Sequence, residues 1–105
     1  MAESESQALQ LLLAHLHQEE GDTIDKHEIE QNPLVLLPYF AYGDSPTELI
    51  ILNYLATATT NNSTFRDAAK AKPRFRETLS SLYAITLNVP TRSYLDRILT
   101  ALQST

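Results

Sequence analysis

Residues 45–56 read SPTELIILNYLA and carry the clearest helix start in the chain. Ser45 stands at the N-cap position, Pro46 takes the first helical position, and Glu48 can reach back from the third. Apolar residues then recur at the spacing of one helical face: Leu49, Leu52, Leu55 and Ala56. This stretch predicts a long amphipathic helix that ends near residue 61.

Upstream, three helical segments are predicted. The first begins at the capping-box pair Ser4 and Gln7 and ends at Gly21. A short helix follows over Thr23–Gln31. The third segment is led by Pro33 and runs to residue 43, and Pro38 should kink it or divide it in two.

Downstream, three more helices are predicted. Asn62 or Ser63 caps a short helix that ends at Lys70. A helix over residues 74–87 follows the break at Lys72-Pro73. Thr91 opens the last helix, so the whole chain contains six or seven helices joined by short connections.

The composition supports an all-α fold. Leu and Ala number 28, Val and Ile number 8, and there are two Gly among 105 residues. Helix formers are therefore plentiful and sheet formers scarce. The length fits one domain, residues 1–105, whose first five residues are expected to fray. The absence of Cys excludes disulfides, thiolate zinc sites and a cysteine nucleophile.

The sequence predicts an intracellular protein, cytoplasmic or nuclear, with no membrane contact. No apolar run reaches the roughly 18 residues that a membrane span needs. The first six residues include Glu3 and Glu5 and no basic residue, unlike a signal or transit peptide.

Charge is distributed unevenly along the chain. Residues 1–30 hold eight acidic and one basic side chain, a sum of −7, and residues 31–105 sum to +2. Five basic residues fall in one stretch: Arg66, Lys70, Lys72, Arg74 and Arg76. The stretch can meet an acidic peptide or phosphates, or it is a solvated helix face. The net charge of −5 argues against a general nucleic-acid binder.

No residues in the sequence predict catalysis, a metal site or a cofactor. His15 and His17 are two residues apart on a helix, so they point roughly 200° apart and cannot share a metal. His27 has no partner at metal-ligand spacing. Paired carboxylates such as Glu19-Glu20 lie in a charged turn where solvation is expected, and phosphate-binding and nucleophile motifs are absent.

A repeat relates the two halves of the chain. Asn32-Pro33 and Lys72-Pro73 lie 40 residues apart, and Ser45-Pro46 and Val89-Pro90 lie 44 apart. Leu13–Leu16 also overlays Leu52–Leu55 at a shift of 39. A period of about 40 to 45 residues with three helices per unit is typical of helical solenoids.

On these residues the chain resembles the armadillo (HEAT-like) repeat family, and residues 44–86 match it best. Asp44–Ala56 looks like the long third helix of a repeat, Asn61–Ala71 like the short first helix, and Pro73–Leu82 like the second. The resemblance implies a short right-handed superhelical stack of about two three-helix repeats, residues 22–58 and 61–105. The helix at 4–18 would cover one end.

The resemblance also implies a non-enzymatic adaptor that binds a partner protein along its long helices. The positions matching the family's peptide-binding groove are His15, Tyr54 and Ala101. We expect the partner to contact a ridge formed by His15, Tyr54 and Arg97. Further contacts are expected from the basic stretch, which we call the basic patch, through Arg66, Lys70 and Arg74, and from the C-terminal helix through Tyr94. The partner would be an extended peptide or a helix, and an acidic one would suit the patch.

Two alternatives stay open at this point. The C-terminal helix carries an apolar face wider than one stripe. Either this face contacts a partner or a second copy of the chain, or all of its apolar residues belong to the core. The domain could also be a death-fold-like six-helix bundle that self-assembles through its opposite charge patches. No residue favours an enzyme.

Overall fold

Every element is helical in the residues described by the structure, which is a computed structural model covering 2–19, 25–40 and 46–103. In chain order they are α1 (Ala2–Glu19), α2 (Lys26–Gln31), η1 (Pro33–Phe40), α3 (Pro46–Asn61), α4 (Ser63–Lys70), α5 (Pro73–Ile85) and α6 (Val89–Gln103). η1 is a 3-10 helix and the others are α-helices. No strand occurs in those ranges, which confirms the predicted all-α class.

Side-chain caps explain where two of the shorter helices begin. Asp25 accepts a hydrogen bond from the Glu28 backbone N–H at 2.9 Å, and Asn62 accepts one from the Phe65 N–H at 3.1 Å. Each cap satisfies a donor that has no partner within its helix. The predicted start of α4 is therefore confirmed. α1 begins at Ala2 instead of the predicted capping-box position, and the predicted Gly21 stop and Ser45 cap lie outside the described residues.

The last helix begins earlier than predicted. α6 starts at Val89, two residues before Thr91, because Asn88 is its cap. The Asn88 Oδ1 accepts the Thr91 N–H at 3.0 Å and the Thr91 hydroxyl at 3.1 Å. Pro90 then lies in the first turn, where its missing N–H removes no intrahelical hydrogen bond.

The segment led by Pro33 is neither kinked nor divided at Pro38, and the prediction for it was wrong. It is a single 3-10 helix through Phe40. In an α-helix the Pro38 ring would clash with the carbonyl of residue 34 and would offer it no N–H. The tighter 3-10 turn is adopted instead, over a run longer than usual for this helix type.

α3 lies at the centre of the packing. It contacts α1 and α6 most extensively, and it also contacts η1 and α4. Among the described residues, α1 and α6 make no extensive contact with each other. The other extensive contacts join α2 to η1, α5 to η1, α4 to α5 and α5 to α6, with smaller ones between α4 and α6 and between α2 and α4.

A single apolar core joins the seven helices of the described residues. Its largest fully buried side chains include Tyr54, Phe65, Phe75, Leu12, Leu16, Ile29, Leu36, Ile51, Leu52, Leu55, Leu79 and Leu95. α1 contributes apolar residues at helical spacing, among them Leu9, Leu12 and Leu16. The Cα radius of gyration of 12.5 Å is close to the about 13 Å expected of a compact domain of this length.

Threonines at the end of α3 donate their hydroxyl protons to carbonyls of the preceding turn. The Thr59 hydroxyl donates to the Leu55 carbonyl at 2.7 Å, and the Thr60 hydroxyl donates to the Ala56 carbonyl at 2.7 Å. Thr59 is fully buried, so this bond satisfies a hydroxyl that water cannot reach.

Candidate protein-binding surfaces

One strip of α3 remains open to solvent. Buried residues cover more than half of the circumference of the helix, at about 100° per residue. The remaining described side chains are half-buried, apart from two exposed ones at the end of the helix, and form what we call the α3 strip: Leu49, Ile50, Asn53, Thr57, Thr60 and Asn61. Asn53 and Thr57 lie at its middle, one helical turn apart, and the Thr57 hydroxyl donates to the Asn53 carbonyl at 3.0 Å.

Tyr54, the predicted aromatic anchor, does not lie on an accessible ridge. Its side chain is 0% exposed. Its ring packs edge-on against Phe65 of α4, with ring centroids 5.7 Å apart and an interplanar angle of 75°. This part of the prediction is therefore corrected: Tyr54 belongs to the core between α3 and α4, and its neighbour Asn53 is half-buried.

His15 connects two of the long helices. Its Nε2 lies 2.6 Å from the hydroxyl oxygen of Thr47, a hydrogen bond between α1 and α3. The His15 side chain is half-buried and Thr47 is buried. The structure therefore gives His15 a packing contact at the interface of the two helices, next to the surface where a partner contact was predicted.

The predicted residues of α6 differ in their accessibility. Arg97 is exposed, whereas Tyr94 is half-buried and packs against the core. Leu99, part of the apolar excess predicted for this helix, is half-buried against the core as well. Val89 and Pro90 are exposed in the first turn of α6. From Thr91 onward the exposed positions of the helix are polar or charged: Arg92, Ser93, Asp96, Arg97, Thr100 and Gln103.

Arg66 in the basic patch has a contact within the fold. Its guanidinium donates to the Thr59 carbonyl in the last turn of α3 at 3.3 Å, and the side chain is half-buried. Such a donor compensates a carbonyl that lacks an intrahelical partner. Lys70 and Arg74 are exposed. The cavity that Arg74 lines, described next, includes none of the ridge residues His15, Tyr54 and Arg97.

Arg74 lies at a cavity between η1 and α5. The cavity has a volume of about 410 Å³ and is lined by Leu34, Leu37, Pro38, Arg74 and Thr78. We call it the η1–α5 notch. A neighbouring cavity of about 230 Å³ is lined by Lys70, Pro73, Arg76 and Glu77. Both involve the first turns of α5, so the basic stretch borders two adjacent depressions.

Aliphatic side chains are exposed where α5 meets α6. Ile85, Leu87 and Val89 alternate along the chain, and Leu87 is 92% exposed. The residues between them are used by the fold, since the Asn88 N–H donates to the Thr86 hydroxyl at 3.3 Å. This alternation places three aliphatic groups in solvent at one junction.

Within the described residues, no three His, Cys, Asp or Glu side chains are grouped so that they could hold a metal ion. None of the helices described is both long and apolar enough to cross a membrane.

Sequence reasoning missed Asn53 and the walls of the notch. A signal for Asn53 exists, because it is the one amide in the apolar and aromatic run Leu49–Ala56, and such a residue indicates the open face. The walls of the notch carry no local signal, since they come from two helices. The repeat offers a non-local signal, because residues one repeat apart take equivalent positions. Leu34 and Arg74 are 40 residues apart, and so are Pro38 and Thr78.

Comparisons with family models, curated proteins and solved structures found no match to this chain. Function is therefore inferred from the described residues.

Proposed function

We propose that this chain is a non-enzymatic protein-interaction module, an intracellular adaptor or a subunit of a larger assembly. Its architecture would be a short armadillo-like stack of two three-helix units preceded by α1. The first unit comprises α2, η1 and α3, and the second comprises α4, α5 and α6. The partner segment, an extended peptide or a helix, would lie along the long helices on the α3 strip.

Contacts between equivalent helices support the stacked architecture. α2 packs on α4, η1 on α5, and α3 on α6, and each pair joins elements about 40 residues apart in sequence. In a solenoid each helix contacts its equivalent in the next unit. α1 takes the corresponding place before α3, since it packs on α3 and not extensively on α6 in the ranges described.

The α3 strip is the single observation that carries the proposed binding surface. α1 and α6 both pack on α3, yet the strip remains accessible along the length of the helix. The Asn53 amide offers both a donor and an acceptor, which suits the backbone of an extended peptide. Arg97 is exposed on the neighbouring helix α6 and can pair with a partner carboxylate.

The polar surface of α6 favours a separate partner protein over a second copy at this helix. A homodimer through α6 would have to bury its charged positions Arg92, Asp96 and Arg97, which are exposed here. Burying charges without paired groups is costly.

The test is capture of partners from cell extract by three forms of the chain: the unchanged protein, Asn53→Arg and Ser80→Arg. Asn53→Arg places a long cation in the middle of the strip, and Ser80→Arg makes a comparable change on the exposed face of α5. We expect the same specific proteins with the unchanged chain and Ser80→Arg, and their loss with Asn53→Arg. Equal recovery by both variants would contradict the proposed surface.

Light scattering separates this proposal from charge-driven self-assembly. An adaptor of this kind should stay at one molecular mass as salt is varied. Assembly through opposite charge patches would give large particles at low salt that dissociate as ionic strength rises.

A further inference from the structure

The η1–α5 notch combines apolar walls with one cation and one hydroxyl. Leu34, Leu37 and Pro38 of η1 form the apolar side, and Arg74 and Thr78 of α5 form the polar side. Arg74 and Thr78 are four residues apart, so both point from one face of α5. The notch is separate from the α3 strip, since the two share no residue.

We propose that the notch is a second protein-binding site that takes an acidic peptide segment of a partner through one aliphatic side chain and an adjacent carboxylate. The aliphatic group fills the space beside Leu34 and Leu37. The carboxylate accepts from the Arg74 guanidinium, whose planar fork matches a carboxylate geometrically.

The size of the notch suits a side chain and not a large cofactor. Its volume of about 410 Å³ is near the lower end of small-molecule pockets, which span roughly 300–1,000 Å³. The Arg74 guanidinium is available to a ligand, because within the described residues it has no hydrogen bond or ion pair.

Charge beyond the notch identifies a peptide as the ligand. The second cavity, with Lys70 and Arg76, places two more cations around the start of α5, where Arg76 projects about 200° from Arg74. Residues 63–78 hold five basic and two acidic side chains in a chain whose net charge is −5. A segment with several carboxylates can pair with cations on both sides of α5, whereas a small acid occupies only the notch.

The beginning of α5 adds to this attraction. α5 starts at Pro73 without a side-chain hydrogen bond from its cap residue, Lys72. The positive end of the helix dipole therefore lies beside the two cavities, where it favours anions.

The probes are three pools of labelled peptides of equal length, titrated against the full chain. One pool has a central Leu, Ile or Phe flanked by Asp and Glu, one replaces the apolar residue by Ser, and one replaces the acids by Lys. We expect only the first pool to bind, as measured by fluorescence anisotropy. Amide resonances of Leu34, Leu37 and Thr78 should shift during the same titration followed by NMR.

Three variants test the site. Arg74→Ala should weaken binding of the first pool by about tenfold, as expected for loss of a charge-assisted hydrogen bond. Lys26→Ala removes one cation from an exposed position of α2 that lines neither cavity, and it should change binding by less than about threefold. Thr78→Phe keeps every charge but fills the notch, and it should weaken binding as much as Arg74→Ala does.

Several results would overturn the proposal: equal effects of Arg74→Ala and Lys26→Ala, binding of the Ser pool as tight as that of the first, or no binding by any pool. Equal affinity for free 4-methylpentanoate would make this a small-acid site. Shifts of the same amides by a single-stranded oligonucleotide would indicate a nucleic-acid site. None of these results would change the capture of partner proteins through the α3 strip around Asn53. Either proposal can therefore be contradicted without affecting the other.

Discussion

The Arg92 guanidinium of α6 lies over the ring of Tyr83 in α5, with its Cζ 4.4 Å from the ring centroid. The same guanidinium donates to the Tyr83 carbonyl at 3.1 Å and to the Thr86 carbonyl at 3.4 Å. One exposed side chain therefore joins α6 to the end of α5, combining a cation–π contact with hydrogen bonds to carbonyls near the end of that helix.

Arg92→Ala should lower the free energy of unfolding by about 1 kcal/mol, because it removes an exposed cation–π contact and hydrogen bonds to two carbonyls. Arg97→Ala is the matched control on the same helix and should stay within about 0.5 kcal/mol of the unchanged chain. Urea unfolding measures both. Equal stabilities of the two variants would show that the Arg92 contacts contribute nothing measurable.

Tyr54→Ala should destabilise the fold by about 3–5 kcal/mol, the cost of removing a large buried aromatic side chain. Tyr94→Ala should cost clearly less, because Tyr94 is only half-buried. Denaturant unfolding followed by circular dichroism measures the difference. If Tyr54→Ala kept full stability and lost only partner binding, Tyr54 would be a surface anchor after all.

Asn88→Ala should lower stability by about 1 kcal/mol, because it removes the acceptor for the Thr91 N–H at the start of α6. Asn88→Asp should keep most of this stability, since a carboxylate oxygen caps equally well. Asn61→Ala, at an exposed position, is the control. Thermal unfolding should show a lowered Tm for Asn88→Ala alone, and a comparable loss in Asn88→Asp would contradict the capping role.

The His15–Thr47 bond should give a measurable coupling between α1 and α3. A double-mutant cycle with His15→Ala and Thr47→Val isolates this pair from the other contacts of each residue. We expect a coupling free energy of about 0.5–1.5 kcal/mol, typical of one hydrogen bond between side chains. A value near zero would mean that the 2.6 Å contact does not stabilise the helix pair.

Most of the helices could be predicted from the sequence because the residues that begin and end a helix act locally. Proline at the first positions of α3 and α5, and Asn62 before α4, act on backbone groups within four residues of themselves. The two wrong helix predictions lie where a local signal conflicts with the predicted helix and the chain adopts another geometry. At Pro38 the chain adopts a 3-10 helix, and at Asn88 a cap moves the start of α6 forward to Val89.

Binding residues were harder to predict because accessibility depends on which neighbours surround a helix. Tyr54 and Asn53 are adjacent in sequence and their side chains project about 100° apart, so Tyr54 packs against α4 and Asn53 lies half-buried on the open side of α3. Hydrophobic spacing places Tyr54 outside the stripe of Leu49, Leu52, Leu55 and Ala56, yet α4 buries it.

From its own residues the sequence determined the all-helical class, the prolines and caps that begin four of the helices, and most of the apolar core. Tertiary packing alone decided that α3 is central, that Tyr54 is buried, and that Leu34 and Pro38 face Arg74 and Thr78 across one notch. Capping and helical periodicity act within a few residues of chain, whereas a cavity or an open strip exists only where separate helices meet.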